Sequence, residues 1–261
     1  MRKKGSRLII SGLPFFLYTS RFSQTTQRKD GMNYINDIVK AFSDGIFLTL
    51  IKDDRFSYLV SGFKLSILIT LLAAAIGIVL GLIVAVLRLR GKGVMAAIAN
   101  GYITVIRGTP AVVQLTIIYF VILGHTGLSD VLIASVAFGI NSGAYVAEII
   151  RAGIMAVDRG QMEAGRSLGL SYLQTMVHII IPQAIKNVLP ALGNELIVLL
   201  KETSIAGYIG MKDLNKGGTT IASITYDYMV PALCVAYIYL MMTTSMASVI
   251  TRLERRLQRS D

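Results

Sequence analysis

Apolar and polar positions along the chain fall into long blocks, not into the short alternation of an amphipathic helix or strand. A membrane-spanning helix needs about 20 mostly apolar residues, and five runs reach that length. The first, Leu65 to Leu87, contains no charge. The second, about Val94 to Leu123, is interrupted by Arg107, Gly108 and Pro110, so its core is expected after Pro110. The third, about Val131 to Ile150, carries one charge, Glu148, near its end. The fourth, about Val188 to Gly210, includes Glu195, Lys201 and Glu202 and is the least regular. The fifth, Tyr228 to Thr251, is again uncharged. The pattern predicts an all-α, polytopic membrane protein with about five transmembrane helices.

Orientation follows from the connections, because cytoplasmic loops carry the excess of Lys and Arg. Arg88, Arg90, Lys92 and Arg107 follow the first run. Arg151, Arg159, Arg166 and Lys186 flank the connection between the third and fourth, and Arg252, Arg255, Arg256 and Arg259 close the chain. These regions are expected to be cytoplasmic. The connection around GHTGLSD has no Lys or Arg, and the one after the fourth run has only Lys212 and Lys216; both are expected outside, together with the segment before Leu65. The scheme gives an extracellular N-terminus and a cytoplasmic C-terminus. Residues 1–31 disturb it, holding seven Lys and Arg against Asp30 alone. They read as a basic extension upstream of a natural start at Met32, and translation from Met32 is expected to give an active protein.

Composition agrees with the membrane reading: 54% of the 261 residues are hydrophobic and 16% charged, against roughly 45 to 50% apolar in ordinary soluble domains. The net charge of +11 lies at the ends of apolar runs, which is membrane topology and not a nucleic-acid footprint. The single cysteine, Cys234, excludes a disulfide within the chain and reads as a small buried hydrophobe. His125 and His178 fall in different compartments and match no zinc spacing. No Gly-x-x-x-x-Gly-Lys-Ser/Thr run occurs, so no P-loop cradles ATP here; ATP and Mg²⁺ would be bound by a partner.

One connection is far richer than a turn requires. Residues 160–184 read GQMEAGRSLGLSYLQTMVHIIIPQA. Gln161 to Leu168 has helical composition, Gly169 suits a left-handed stop, and Ser171 with Gln174 makes a capping box for a second short helix. Leu173, Met176, Val177 and Ile180 form one apolar stripe at helical spacing, and Pro182 is placed to open the next helix. An amphipathic helix lying on the lipid surface has the same pattern.

The connection resembles the cytoplasmic signature of ABC importer permeases: Glu, Ala, Ala, three residues, Gly, nine residues, Ile, any residue, Leu, Pro. Glu163, Ala164, Gly169, Ile179 and Pro182 match, while Gly165 stands for the second Ala and Ile181 for the Leu. Tyr102 with RGTPAVVQL (107–115), AYVAEIIRAGI (144–154), LLKETSIAGYIG (199–210) and Leu253 to Arg256 are similar to the polar amino-acid permeases of that class, over about Ser61 to Arg256. Thr104 departs from that family, which has Glu before the Arg-Gly-Thr-Pro run. The resemblance implies a binding-protein-dependent type I importer in a bacterial inner membrane. Its loop would dock in an ATPase subunit, its permease subunits would pair as a homodimer or heterodimer, and an extracellular solute-binding protein would deliver an amino acid. The implied layout is an extracellular segment at 32–60, a transmembrane permease domain at 61–256 with the coupling loop at about 158–184, and a cytoplasmic tail at 257–261. No catalytic residue is expected. A channel, or an ABC permease for another small solute, is the alternative.

Polar groups inside spans are costly and usually face the bundle interior. This nominates Gln114, Thr116, Asn141, Ser142, Tyr145, Asn194 and Glu195 as a substrate path, with interhelical hydrogen bonds as the competing role. Asn141 and Ser142 are placed about one third from the cytoplasmic end of their span, beside Gly143, which would allow close helix approach. Glu148 is expected to pair with Arg151, three residues on. Lys201 and Glu202 are expected at a helix break. Glu195 has no Lys or Arg one turn away, so its counter-charge is sought in Arg107, in a second subunit or in the substrate.

Overall fold

The computed structural model describes Ser43, residues 45–91 and residues 93–258. The expectations for residues 1–31 lie outside the described residues. Eight helical segments carry the fold: α1 Phe56–Arg90, α2 Val94–Gly108, α3 Ala111–Ile122, α4 Asp130–Met155, α5 Arg159–Ser167, α6 Tyr172–Ile209, α7 Leu214–Thr225 and α8 Met229–Gln258. Helices α1, α4, α6 and α8 are each long and apolar enough to cross a membrane. The pair α2 and α3 passes the same test together, bent by 108°.

Packing centres on α1 and α4. Small residues let the two backbones approach: a Cβ on Gly81 would lie 2.5 Å from Val146 Cγ1, and one on Gly139 would lie 2.6 Å from Ile76 Cγ2. Close contact of this kind supplies the dispersion energy that associates helices where water is absent. Gly143 sits 3.0 Å from Tyr102 Oη by the same measure, so the close approach expected there is present. Around this seam Ile69, Leu115, Phe138, Leu199 and Ala206 are buried together, while α1 and α8 keep many large apolar side chains on the outside.

The second run departs from expectation. Its core is not the stretch after Pro110, because α3 holds only six α-helical residues followed by six in a wide π turn, too short to cross alone. Thr109 is extended (φ −122°, ψ 148°), as a residue before proline prefers, and Pro110 donates no N–H. Gln114 covers the break: its Nε2 donates to the carbonyls of Ile106 at 2.7 Å and Thr109 at 3.1 Å.

The fourth run starts earlier than expected. Pro182 stands in the first turn of the α-helical stretch Ile181–Glu202, as its position predicts, but that stretch continues α6 from Tyr172 through a π turn at Met176–Ile180, and it passes Pro190 without ending. The wide turn relieves the crowding that a proline ring imposes on the turn before it. At Glu202 the helix tightens into a 3₁₀ turn, Thr203–Ile209, closed by Gly210 at φ +84°, so the expected change beside Lys201 and Glu202 is real. Helix α4 runs beyond Ile150 to Met155, which places Asn141 and Ser142 near its middle and not one third from its end.

Sequence patterning gives no sign of α7. It is short, rich in Gly and Thr, and capped by Asp213. Its start presses on α1 so closely that a Cβ on Gly62 would lie 2.6 Å from the Asp213 carbonyl oxygen, and one on Gly217 would lie 2.6 Å from that of Tyr58.

Candidate functional site: an exposed helical elbow and a buried polar layer

The elbow between α4 and α6 is built by local rules. Asp158 caps α5, accepting the Gly160 N–H at 2.6 Å. Gly169 then takes φ +83°, its N–H bonding to the Arg166 carbonyl at 3.1 Å while Leu170 N–H bonds to that of Gly165 at 3.2 Å. This pair of bonds with a left-handed residue is a Schellman stop. The capping box is complete: Gln174 N–H to Ser171 Oγ is 3.3 Å, and Ser171 N–H to Gln174 Oε1 is 2.8 Å.

Gly165 is where α5 touches α6. It is buried, and a Cβ there would lie 2.5 Å from Thr175 Cγ2 and 3.1 Å from Ile179 Cδ1. Glycine at this position, where the resembling signature has alanine, therefore matches a tighter elbow. Packing through Gly165 also sets which face of α6 turns inward: Thr175 and Ile180 are buried, whereas Leu173 and Val177 are exposed. The expected single stripe is thus split. Leu168 (81% exposed), Tyr172, Leu173 and Val177 leave an apolar surface beside exposed Glu163 and Ala164. Pro182 is exposed as well.

The polar layer joins α3, α4 and α6. Asn141 Nδ2 donates to Gln114 Oε1 at 2.9 Å, and Ser142 Oγ donates to Glu195 Oε1 at 2.8 Å. Gln114, Asn141 and Ser142 are buried, and Asn141 Oδ1 has no hydrogen-bond partner among the described residues. Arg107 does not meet Glu195; its guanidinium lies over the Tyr145 ring at 5.2 Å from the centroid. Among the described residues Glu195 has no ion pair. Asn194 and Thr116 fall outside the layer: Asn194 is exposed, and Thr116 donates to its own helix at Val112. Thr104 is exposed on α2.

Two further charged positions stand near the ends of the bundle. Glu148 pairs with Arg151, as its spacing predicts, and also with Arg88 of α1, which sequence spacing does not reveal. Asp213 is fully buried at the head of α7, where its carboxylate accepts the N–H groups of Asn215 at 3.0 Å and Lys216 at 3.2 Å. Burial pushes its carboxyl up to about 6. Among the described residues, no three His, Cys, Asp or Glu side chains gather as a metal site would require.

Residues 77–259 match the family described as the binding-protein-dependent transport system inner membrane component. The chain belongs to this family. Its relatives among such inner membrane components include a putative glutamine transport system permease of Rickettsia conorii, 37% identical over 200 residues that cover 75% of this chain and 92% of the relative. The arginine transport system permease of Bacillus subtilis is 36% identical, covering 78% and 94%, and the glutamine transport system permease of Escherichia coli K12 is 36% identical, covering 77% and 93%. In three dimensions this inner membrane component is similar to a chain of an amino acid ABC transporter crystallised with histidines, with TM-score 0.75, 45% identity and coverage of 80% and 98%. It shares its fold with a chain of the inward-facing MetNI methionine ABC transporter, at TM-score 0.68 and 20% identity, over 79% and 99%.

Proposed function

We propose that this inner membrane component is the permease subunit of an ABC importer for amino acids, with the elbow as its contact for a separate ATPase and the polar layer as part of its substrate path. The observation that carries the reading is the continuity of α6. One continuous helix begins in the exposed elbow at Tyr172 and runs past Glu195 to its 3₁₀ end, so the elbow and the polar layer lie on the same element. Relatives and the solved neighbour that are named for amino-acid transport support the substrate class.

In this reading the elbow and the C-terminus are cytoplasmic and the head of α7 faces outward. ATP and Mg²⁺ are held by the ATPase, which receives Glu163, Ala164 and the exposed Leu168, Tyr172 and Leu173. A second permease subunit completes the path, and an external solute-binding protein delivers the amino acid. Glu195, desolvated and held by a single hydroxyl, contacts the positive part of the substrate. A carboxylate at such depth costs at least a few kcal/mol unless it is compensated, so the site favours cationic or strongly polar side chains. Gln114, Asn141 and Ser142 order the wall around it.

Reconstitution tests this directly. The assembled permease and ATPase, with the binding protein of the same system, is placed in proteoliposomes and offered labelled arginine, histidine and glutamine. ATP-dependent accumulation of at least one of them is expected; its absence with all three, in a complex that hydrolyses ATP, would overturn the preference for cationic or strongly polar amino acids.

A further inference from the structure

We infer that Glu148 is the joint that ties the elbow-bearing end of α4 to α1, so that displacement of the elbow is passed into the bundle instead of being lost as slippage between helices. The inference rests on the permease reading and adds to it positioning residues that lie away from both the elbow and the polar layer. Both oxygens of Glu148 are engaged. Arg151, on the same helix, approaches Oε1 through Nε at 3.1 Å and through Nη2, while Arg88 of α1 takes Oε2. The two arginines have different tasks: Arg151 fixes the Glu148 rotamer, and Arg88 makes the cross-link. Among the described residues it is the one ion pair between α1 and α4.

The surrounding packing shows why a cross-link is needed there. Along the rest of the seam glycine notches receive facing side chains, Val146 at Gly81 and Ile76 at Gly139, whereas beside the bridge stand the fully buried Ala85 and Ala147. Two small side chains meeting there offer only low ridges against the small sliding by which packed helices shear. At the same end α4 is locked to α6, because Gly153 admits Val188 so closely that a Cβ would lie 2.3 Å from its Cγ2. The end of α4 is therefore fixed to α6 by shape and to α1 by charge. All three side chains are about a quarter exposed, 27% for each arginine and 23% for Glu148, so the pairing is partly desolvated and less screened than a surface contact. Between the bridge and the elbow lie only about two turns of α4.

Arg88→Gln, Arg151→Gln, Glu148→Gln and Arg88→Lys complexes, reconstituted as above with labelled arginine, histidine and glutamine, test the inference by the ratio of ATP hydrolysed to amino acid accumulated. Wild-type accumulation of at least one of them establishes the permease reading independently. Loss of the α1 cross-link in Arg88→Gln and Glu148→Gln should raise the ratio about fivefold or more, the lower end of ordinary coupling between sites, with the amount of assembled complex unchanged. Arg88→Lys, which keeps the charge, should stay near wild type, and Arg151→Gln should rise much less than Arg88→Gln. An unchanged ratio in Arg88→Gln would overturn the inference. So would an equal fall of hydrolysis, uptake and assembled complex, which is the mark of a merely structural contact, or an Arg88→Lys variant as uncoupled as Arg88→Gln.

Discussion

At the scale of single residues, Glu195 and Ser142 meet across α4 and α6 near the middle of the bundle. Glu195→Gln keeps the shape and removes the charge. It should leave assembly and ATP hydrolysis near normal while lowering uptake of the preferred amino acid about tenfold or more, since losing one charge-assisted contact costs about 1.5–3 kcal/mol. Unchanged uptake of arginine, histidine and glutamine by an assembled variant would remove Glu195 from the path. Gly165 makes a second residue-scale case. Alanine there drives a methyl into Thr175 Cγ2, an overpacking that costs about 1–3 kcal/mol. Thr175→Ser removes that methyl, so the Gly165→Ala, Thr175→Ser pair should recover most of the loss, read as the temperature at which the detergent-solubilised protein unfolds. Additive losses in the double variant would show that the crowding lies elsewhere.

At the scale of elements, the elbow was legible because its signals are local. Gly169 and the Ser171 and Gln174 box are read from neighbours three or fewer residues apart, and each appears in the structure as expected. What was missed lies beside a local signal. Pro182 marks the first turn of Ile181–Glu202 as expected, but no residue in the run announces the π turn that joins it to Tyr172. The broken second span was half visible, with Pro110 marking the break but not the role of Gln114 in covering it. Arg88 and Glu148 are separated along the chain by the bent pair and most of α4, so only the fold brings them together. Asp213 was missed because neither of its neighbours shows that the position is sealed. For the elbow itself, Gly169→Val places a branched side chain at φ +83°, costing at least about 1–2 kcal/mol of backbone strain. Membrane insertion should persist while the ATPase is released or uncoupled, measured by co-purification and by uptake. A Gly169→Val complex that retains its ATPase and transports normally would remove the elbow from coupling.

At the scale of the whole molecule, α7 is docked on α1 through glycine contacts and a buried acid. Asp213 has its carboxyl raised from 3.8 to about 6, so the folded protein holds a proton that the unfolded chain has already released across that interval. Stability contributed by this group is therefore present at low pH, falls as pH rises from about 4 to about 6, and is level above that. Asp213→Asn keeps an N-cap and removes the titration. The difference in unfolding temperature, wild type minus variant, should decrease over the same window in detergent solution; a difference independent of pH would show that Asp213 is not titrating in place.

The unbroken course of α6 has a mechanical meaning. At 1.5 Å per residue, Glu195 stands about 35 Å along the helix from Tyr172. A helix that moves as one rod acts as a lever, and a pivot near the elbow puts the carboxylate at the end of the long arm. If the rod pivots near the elbow, a tilt of about 10° carries Glu195 sideways by about 6 Å, more than the width of a backbone. In the proposed importer, a substrate group at that distance from the pivot would shift by several ångström while the elbow beside the pivot moves little, which would separate the firmness of the grip on a partner from the size of the opening it commands.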